Sequence, residues 1–314
     1  MNARLDAALE AAGLPPFERR DVPTSTLRFP DGAAFRIEIP STEGPEALEA
    51  VLEEADRLDV PVRRVSQGSG VGMLTDAELD RMAAIAADAG VEVSLFARPG
   101  AGWGPSASAR AAGGGALAAA SWGHDQLRAG VDDVLRAAEH GFRSVLIADL
   151  GLLAVFSRLK EEGHLPPDMQ AKVSVMLPAA NAATARVLED LGAGTLNMPG
   201  DLDIAQLATI RSVVTLPLDI YVESPDELGG FVRLHEVAEL VRVAAPIHVK
   251  LGLRNAPALY PSGVHLSSVA LATVRERVRR ARLVMEGLER AGADTTTSAP
   301  GAAGLAIPVV GRSI

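Results

Sequence analysis

The chain of 314 residues contains no cysteine. Without thiols it forms no disulfide bond, carries no thiolate nucleophile, and binds neither zinc nor an iron-sulfur cluster through cysteine. Basic residues are in the minority, and the formal net charge is -10 at pH 7. Because a phosphate backbone is bound by a basic surface, nucleic acid is not expected as a partner.

Long hydrophobic runs are absent as well. The N-terminal sequence MNARLDAALEAAG is charged and amphipathic, unlike a signal peptide, and no stretch approaches the length that spans a bilayer. We therefore expect a cytoplasmic protein with no membrane partner. The composition is nevertheless 48% hydrophobic, which suffices for a large folded core.

Lysine is scarce, with three residues among the 30 basic ones. Two of them, Lys172 and Lys250, lie inside the apolar runs AKVSVML and IHVKLGL. A buried ammonium group is costly unless it is paired or takes part in chemistry, so both positions need an explanation. They give the first indication of a site.

Eight short apolar runs alternate with segments whose apolar residues have helical spacing. Eight such units within roughly 250 residues predict a (β/α)8 TIM barrel, whereas a doubly wound sheet more often has five or six strands and a glycine fingerprint. The predicted strands are 35–39, 62–66, 91–97, 144–149, 171–177, 195–198, 218–223 and 247–253.

Three regions follow from this pattern. Residues 1–34, with a short helix and a turn at Asp31 and Gly32, are predicted to cap the closed end of a barrel that spans 35–290. The last segment, 291–314, is rich in Thr, Ala, Gly and Pro, and we expect a flexible tail.

Reactive side chains in this fold come from the C-terminal ends of the strands and from the loops that follow them. A small-molecule substrate suits such a position. The candidates for catalysis are Lys250, Glu223, His265 and Asp149. The candidates for substrate binding are Arg254, Asn255, Arg98, Asn197, Gln67, Tyr260 and His124.

Lys250 is the strongest of these candidates. A period of two places four residues on one face of the last strand: His248, Lys250, Gly252 and Arg254. Gly252 is expected to leave room for a side chain that extends toward the open end of the barrel. Lys250 is then either an amine that forms a Schiff base with a carbonyl substrate or a cation that holds an anion.

A structural role for the lysines is the alternative interpretation. Lys250 can form a buried ion pair with Asp219 or Glu223 on the neighbouring strand. Lys172 occupies the second position of its strand, so we expect it at the barrel floor, in a structural pair.

Two histidines and two carboxylates form a possible metal set. His124 and His265 each precede a helix at the open end, and with Asp149 and Glu223 they suit a divalent metal. Their spacing is not that of a known metal motif, so these histidines can instead act as acids or bases or contact the substrate. The sequence indicates no cofactor with certainty; a divalent metal is possible, and an iron-sulfur cluster is not expected.

The connection after the third strand, 98–126, is long and rich in Gly, Ala and Ser. It carries both tryptophans, Trp103 and Trp122. A connection of this length predicts a lid whose tryptophans close over a ligand or pack against the rim. A GxGxG run at 68–72 exposes backbone N–H groups that suit an anion.

The segments NMPGDLDIAQLATIR and LDIYVES, with the eight-strand pattern, resemble the collagenase-like peptidase family of unassigned catalytic type, peptidase family U number thirty-two. The resemblance implies a barrel, and either peptidase activity or a cluster-dependent hydroxylation that the missing cysteines exclude. Asp219 and Tyr221 stand where the family's strand signature has glutamate and phenylalanine. Glu223 and Ser224 replace its histidine and glycine.

We therefore expect an enzyme that acts on a small anionic or peptide-like substrate by acid/base chemistry, with Glu223 and His265 moving protons and a metal assisting or not. A lyase or isomerase that forms a Schiff base at Lys250 is one alternative. A second alternative is a ligand-binding barrel without catalysis, or a subunit of a homo-oligomer or of a pair, as in the resembled family.

Overall fold

A computed structural model describes residues 3–19, 21–98 and 120–311. Within these residues eight parallel strands pair in sequence order and close into a barrel, which confirms the predicted (β/α)8 fold. The strands are β1 (Phe35–Pro40), β2 (Val62–Ser66), β3 (Glu92–Ala97), β4 (Ser144–Ile147), β5 (Gln170–Val173), β6 (Ala193–Asn197), β7 (Leu218–Glu223) and β8 (Ile247–Leu251).

Among the described residues, one α-helix precedes the barrel and one follows each strand. None of the described helices is long and apolar enough to cross a membrane. The helices are α1 (Ala3–Ala11), α2 (Pro45–Leu58), α3 (Asp76–Ala89), α4 (His124–Glu139), α5 (Leu150–Glu161), α6 (Ala182–Asp190), α7 (Ile204–Arg211), α8 (Val237–Ala244) and α9 (Ser267–Arg290).

Helix α3 shows how local sequence sets the helix boundaries. The Thr75 hydroxyl accepts a hydrogen bond from the N–H of Glu78, and the Glu78 carboxylate accepts one from the N–H of Thr75 at 2.8 Å. These bonds satisfy two backbone N–H groups that have no acceptor within the helix. Gly90 ends the helix at a φ of 62°, a left-handed conformation that glycine adopts without steric cost.

The hydrophobic core lies between the strands and the helices. Alternate residues of β1, Phe35, Ile37 and Ile39, are fully buried in this layer. The residues between them, Arg36 and Glu38, are equally buried but charged. Glu38 contacts side chains from strands that are not its neighbours in the sheet, so these residues point into the barrel.

Residues 29–34 and 296–309 close the N-terminal end of the barrel. Phe29 packs edge-on against His248, with ring centroids 5.0 Å apart. The N–H of Ala34 donates to the carbonyl of Thr296 at 3.0 Å. Arg36 Nε donates to Ser298 Oγ at 2.7 Å, inside a buried contact.

The segment after α9 therefore differs from the flexible tail that its composition suggests. Its backbone also bonds to the turns just before β3 and β4, from the N–H of Gly301 to the Gly90 carbonyl at 2.9 Å and from the N–H of Val309 to the Gly141 carbonyl at 2.8 Å. The physical reason is that Arg36 is fully buried and needs acceptors that its own strand does not supply. Composition alone does not reveal such a partner.

Candidate functional site

Six ionisable side chains from five strands meet inside the barrel, and we call them the interior cluster. Each residue is at most 2% exposed. They contact one another across the barrel rather than along one sheet edge. The members are Glu38 on β1, Arg64 on β2, Lys172 on β5, Asp219 on β7, and His248 and Lys250 on β8.

Glu38 is the centre of the interior cluster. Its Oε1 accepts hydrogen bonds from Lys172 Nζ at 2.5 Å and from Ser66 Oγ at 2.8 Å, and its Oε2 accepts one from Arg64 Nε at 2.8 Å. Burial alone would raise the pKa of the Glu38 carboxyl, but the charges of Arg64, Lys172 and Lys250 lower it overall. Glu38 is therefore ionised.

Asp219 is the second anion of the interior cluster. It pairs with Arg64, lies 3.1 Å from Lys172 Nζ, and accepts a hydrogen bond from Thr195 Oγ1 at 2.9 Å. His248 Nδ1 lies 2.9 Å from Asp219 Oδ1. Burial and the charge of Arg64 nevertheless lower the pKa of His248 to about 4, so its imidazole is neutral near pH 7.

Lys250 has a different environment from the other cations. Its Nζ donates to the neutral amide oxygen of Asn197 at 2.7 Å and lies 4.3 Å from the centre of the Tyr221 ring. Glu38 is the carboxylate that pairs with it among the described residues, at 3.4 Å. Burial lowers the pKa of Lys250 below its ordinary value.

Lys172 is held more tightly than Lys250, between the carboxylates of Glu38 and Asp219. Burial and the charge of Arg64 lower the pKa of Lys172 to about 8. Lys172 is paired, as expected, but it reaches the same carboxylate as Lys250.

Two expectations for Lys250 differ from the structure. Its contacts are with Asn197 and Glu38 rather than with Asp219 or Glu223. Gly252 leaves no room beside it, because a Cβ atom there would lie 2.5 Å from Pro225 Cδ and 2.9 Å from Tyr221 Cε1. The space that the sequence suggested is filled by these two side chains.

The other predicted catalytic residues do not reach Lys250. Glu223 Oε1 accepts the N–H of Arg254 at 2.9 Å, outside the interior cluster. Asp149 caps α5 through the N–H of Leu152 at 2.7 Å. His265 is exposed, on the short turn after β8. Glu223 and His265 thus do not form a proton-transfer pair at Lys250.

Of the predicted substrate-binding residues, Asn197 is the one at Lys250. Arg254 is exposed, with its Nε 3.6 Å from Asp226, and the N–H of Asn255 donates to the same carboxylate at 2.7 Å. His124 is exposed at the first position of α4.

Gln67, the residue before the glycine run 68–72, has a structural role. Its Nε2 donates to the Gly70 carbonyl at 3.0 Å and its Oε1 accepts the Gly70 N–H at 3.0 Å. These two bonds close the loop after β2 on itself.

Arg98 and Tyr260 lie together at the rim of the open end. Arg98 Nη1 donates to the Gly68 carbonyl at 2.7 Å, and its guanidinium lies 5.4 Å from the centre of the Tyr260 ring. The Tyr260 hydroxyl is hydrogen-bonded to Ser41 Oγ. Ser41 has a φ of 59°, a conformation that is strained for a residue with a side chain.

The metal and lid predictions have less structural support. Across the described residues, no group of three or more histidine and carboxylate side chains is placed to hold a metal ion. The predicted ligands His124, His265, Asp149 and Glu223 therefore do not form such a group.

Most of the predicted lid, including Trp103, lies outside the described residues, and Trp122 at its end is exposed.

Three residues of the site were missed from the sequence: Glu38, Arg64 and Tyr221. For Glu38 and Arg64, the signal in the sequence was a charged residue inside an apolar strand, which also identified the two lysines. In FRIEIP the charged residues alternate with buried apolar ones, so the rule on buried charges identifies Glu38. In VRRVS two arginines are adjacent, so the sequence indicates a buried charge on β2 without showing whether it is Arg63 or Arg64.

No family model and no curated protein matches the chain. Similar solved structures include the YdjI aldolase from Escherichia coli K12, 14% identical over 83% of this chain and 93% of that one, with a TM-score of 0.48. A U32 peptidase is 17% identical over 68% of this chain and 78% of that one, with a TM-score of 0.42.

A truncated 3-deoxy-D-arabino-heptulosonate 7-phosphate synthase from Thermotoga maritima is 14% identical over 86% of this chain and 94% of that one, with a TM-score of 0.44. At these identities and scores, no function is inferred from the similar structures. Membership of the collagenase-like peptidase family stays a prediction.

Proposed function

We propose that the chain is an enzyme that acts on a small carbonyl compound through a Schiff base at Lys250. The observation that carries this proposal is the environment of the Lys250 amine, which is buried, has a lowered pKa and is bonded to a neutral amide. The reaction class is that of a lyase or isomerase. Hydrolysis by Glu223 and His265 has less support, because neither residue is at Lys250.

An amine must be neutral to attack a carbonyl carbon, and this is what the site favours. Burial disfavours the ammonium form of Lys250, and Asn197 offers an acceptor without a full charge. The Tyr221 ring forms a wall 4.3 Å from Nζ.

The chemical steps are those of imine formation. The Lys250 nitrogen bonds to the carbonyl carbon, the carbonyl oxygen leaves as water after accepting protons, and a positively charged iminium remains. The iminium then accepts the electron pair of a C–C or C–H bond on the adjacent carbon. In C–C cleavage the far carbon leaves as an aldehyde or ketone after its hydroxyl loses a proton to a base, and in C–H cleavage the proton itself passes to the base. Reprotonation of that carbon and addition of water release the product and restore the amine.

Two neighbours are suited to assist these steps. Lys172, with a pKa of about 8, can deliver and recover a proton near neutral pH. Glu38 lies between the two amines, 2.5 Å from Lys172 Nζ and 3.4 Å from Lys250 Nζ. Its negative charge stabilises a positive iminium at Lys250.

Reductive trapping tests the proposal. The protein is incubated with panels of small 2-oxo acids, ketones and aldehydes in the presence of borohydride, and the adduct is located by peptide mass mapping. The chain has three lysines, so the assignment is unambiguous. We expect one adduct, on Lys250.

Lys160→Met is the matched control. Lys160 lies on α5 outside the barrel, where its Nζ donates to the Met169 carbonyl at 2.8 Å. We expect this variant to trap substrate like the original protein and Lys250→Met to trap none. An adduct that persists in Lys250→Met, or one confined to Lys160, would overturn the proposal.

A further inference from the structure

A buried arginine beside the open end has no use in the chemistry described so far. Arg277 lies on α9 and is 3% exposed. Within the part of the chain that the structure describes, its Nε and Nη1 are buried and have no hydrogen-bond partner. A guanidinium in this condition is costly to the folded protein, since it has lost water without gaining an acceptor.

The surroundings of Arg277 place it at the open end of the barrel. The ionisable groups close enough to influence it are Tyr221 and Glu223 of β7, Glu43 in the loop after β1, and Tyr260 in the loop after β8. Tyr221 is also the residue whose ring lies 4.3 Å from Lys250 Nζ. Tyr221 therefore neighbours both the proposed reactive amine and Arg277.

The two carboxylates near Arg277 have other partners. Glu43 accepts the N–H of Gly68 at 2.7 Å and the N–H of Ser69 at 3.1 Å. Glu223 accepts the N–H of Arg254 at 2.9 Å. Neither carboxylate neutralises the guanidinium by a direct hydrogen bond.

Two further arginines lie in this region. Arg280 Nε lies 3.4 Å from Glu223 Oε2 and 3.1 Å from Glu276 Oε1, and the Arg98 guanidinium lies 5.4 Å from the centre of the Tyr260 ring. Arg280 is thus paired with two carboxylates, whereas the buried Nε and Nη1 of Arg277 have no hydrogen-bond partner within the described residues, and its positive charge therefore attracts an anion.

We infer that Arg277 binds the anionic group of the substrate, a carboxylate or a phosphate, while the carbonyl carbon of the same molecule reacts at Lys250. This inference rests on the proposed function for the reacting end of the substrate. The unsatisfied donors of Arg277 would receive the acceptors that the folded chain does not provide. An uncharged carbonyl compound would leave them unpaired, which is a strong basis for discrimination.

Trapping with charged and uncharged probes tests the inference. The probes are pyruvate for a carboxylate, glycolaldehyde phosphate for a phosphate, and acetaldehyde for an uncharged carbonyl. In Arg277→Gln, we expect trapping of at least one charged probe to slow by about tenfold or more, the effect of losing a charged hydrogen bond. The rate with acetaldehyde should stay within about twofold.

Arg211→Gln is the matched control. Arg211 is a second buried arginine, at the end of α7, whose Nε and Nη1 donate to the carbonyls of Ala244 and Val214 at 3.1 Å. Its replacement should leave the ratio of charged to uncharged trapping unchanged. Arg277→Lys keeps the positive charge but loses the planar guanidinium that donates two parallel hydrogen bonds. This variant should retain part of the preference for charged over uncharged probes.

A binding measurement separates this inference from the proposed function. Acetate and inorganic phosphate have no reactive carbonyl, so calorimetric titration reports on the anion site alone. We expect the original protein to bind at least one of them and Arg277→Gln to bind neither. If the original protein binds them through Arg277 but traps no carbonyl compound, the Schiff-base proposal fails and the anion site stands.

The contrary results are equally clear. If Arg277→Gln lowers the trapping rate of all probes alike, or of none, Arg277 does not bind the anionic group of the substrate. Equal anion affinity in the original protein and in Arg277→Gln would also overturn the inference. Arg277→Gln should unfold at the same urea concentration as the original protein or a higher one, because it removes an unpaired buried charge.

Discussion

Lys172 and Lys250 share one carboxylate oxygen. The Nζ atoms lie 2.5 Å and 3.4 Å from Oε1 of Glu38, although their strands are three positions apart in the closed sheet. Burial, the charge of Arg64 and more weakly that of Lys250 lower the pKa of Lys172. Either lysine can therefore lose its proton closer to neutral pH than an ordinary lysine.

Glu38→Gln should be strongly destabilising. The substitution leaves Arg64, Lys172 and Lys250 buried with one anion fewer, and removing one partner of a buried ion pair costs about 3–5 kcal/mol. Urea denaturation should show this loss in the free energy of unfolding.

Glu49→Gln provides the comparison for that measurement. Glu49 pairs with Arg81 at 2.7 Å on the surface, where both side chains are more than 40% exposed. Such a pair contributes about 0–1 kcal/mol. If Glu38→Gln costs no more than Glu49→Gln, Glu38 does not hold the interior cluster together.

The barrel itself was predictable because each strand leaves a local pattern. Strand ends were less predictable, as β5 shows: it was expected to continue to Leu177 but ends at Val173. The chain turns there because Ser174 Oγ accepts the N–H of Met176 at 3.2 Å and the Ser174 carbonyl accepts the N–H of Leu177 at 2.9 Å. A run of apolar residues does not reveal such a turn.

The site was predictable in part. A period of two shows which face a residue occupies, and this was enough to select Lys250. The identity of its partners depends on barrel closure, which brings Asn197 from β6 and Glu38 from β1 to the same Nζ. Arg277 was missed because it is one of six arginines on α9, and arginines on an amphipathic helix normally lie at the surface.

The C-terminal segment should contribute to stability through Ser298. Ser298→Ala removes the Oγ acceptor of Arg36 Nε, which lies at 2.7 Å, and leaves a buried donor unpaired. The expected loss is about 1–3 kcal/mol in the free energy of unfolding, measured in urea. Ser268→Ala, at an exposed position of α9, should change stability by less than about 0.5 kcal/mol. If Ser298→Ala and Ser268→Ala change the free energy of unfolding equally, the contact between Ser298 and Arg36 does not stabilise the barrel.

His248 should make the protein sensitive to mild acid. Its pKa falls from 6.5 to about 4 on folding, so between these values the unfolded chain binds a proton that the folded protein does not. Its contribution to stability is complete above pH 6.5 and is lost as the pH falls toward 4. By pH 5 the loss amounts to about 2 kcal/mol.

Urea denaturation at pH 7 and pH 5 measures this effect. His248→Gln cannot titrate, so its stability should fall less over this range than that of the original protein. His235→Gln, at an exposed position on the turn before α8, should keep the full dependence. The assignment to His248 is wrong if His248→Gln keeps the full dependence too.

Gly252→Ala tests whether the packing beside Lys250 is as close as the structure indicates. The added Cβ would lie 2.8 Å from the Glu223 carbonyl oxygen and 2.9 Å from Tyr221 Cε1, so the backbone or the ring must shift. Overpacking of this kind costs about 1–3 kcal/mol, and displacement of Tyr221 should also change the rate of reductive trapping at Lys250.

Gly287→Ala is the opposite case and serves as the control. It lies within α9, where the nearest atom to an added Cβ is Val237 Cγ1 at 3.6 Å, an ordinary contact. Alanine is favoured over glycine in a helix by about 0.5–1 kcal/mol, so this variant should be more stable than the original protein. Opposite signs for the two substitutions would show that steric contact with Pro225, Tyr221 and the Glu223 carbonyl, rather than the loss of glycine, limits position 252. If both variants are stabilised, the space beside Lys250 is open, and Tyr221 does not form the wall that the Schiff-base proposal gives it.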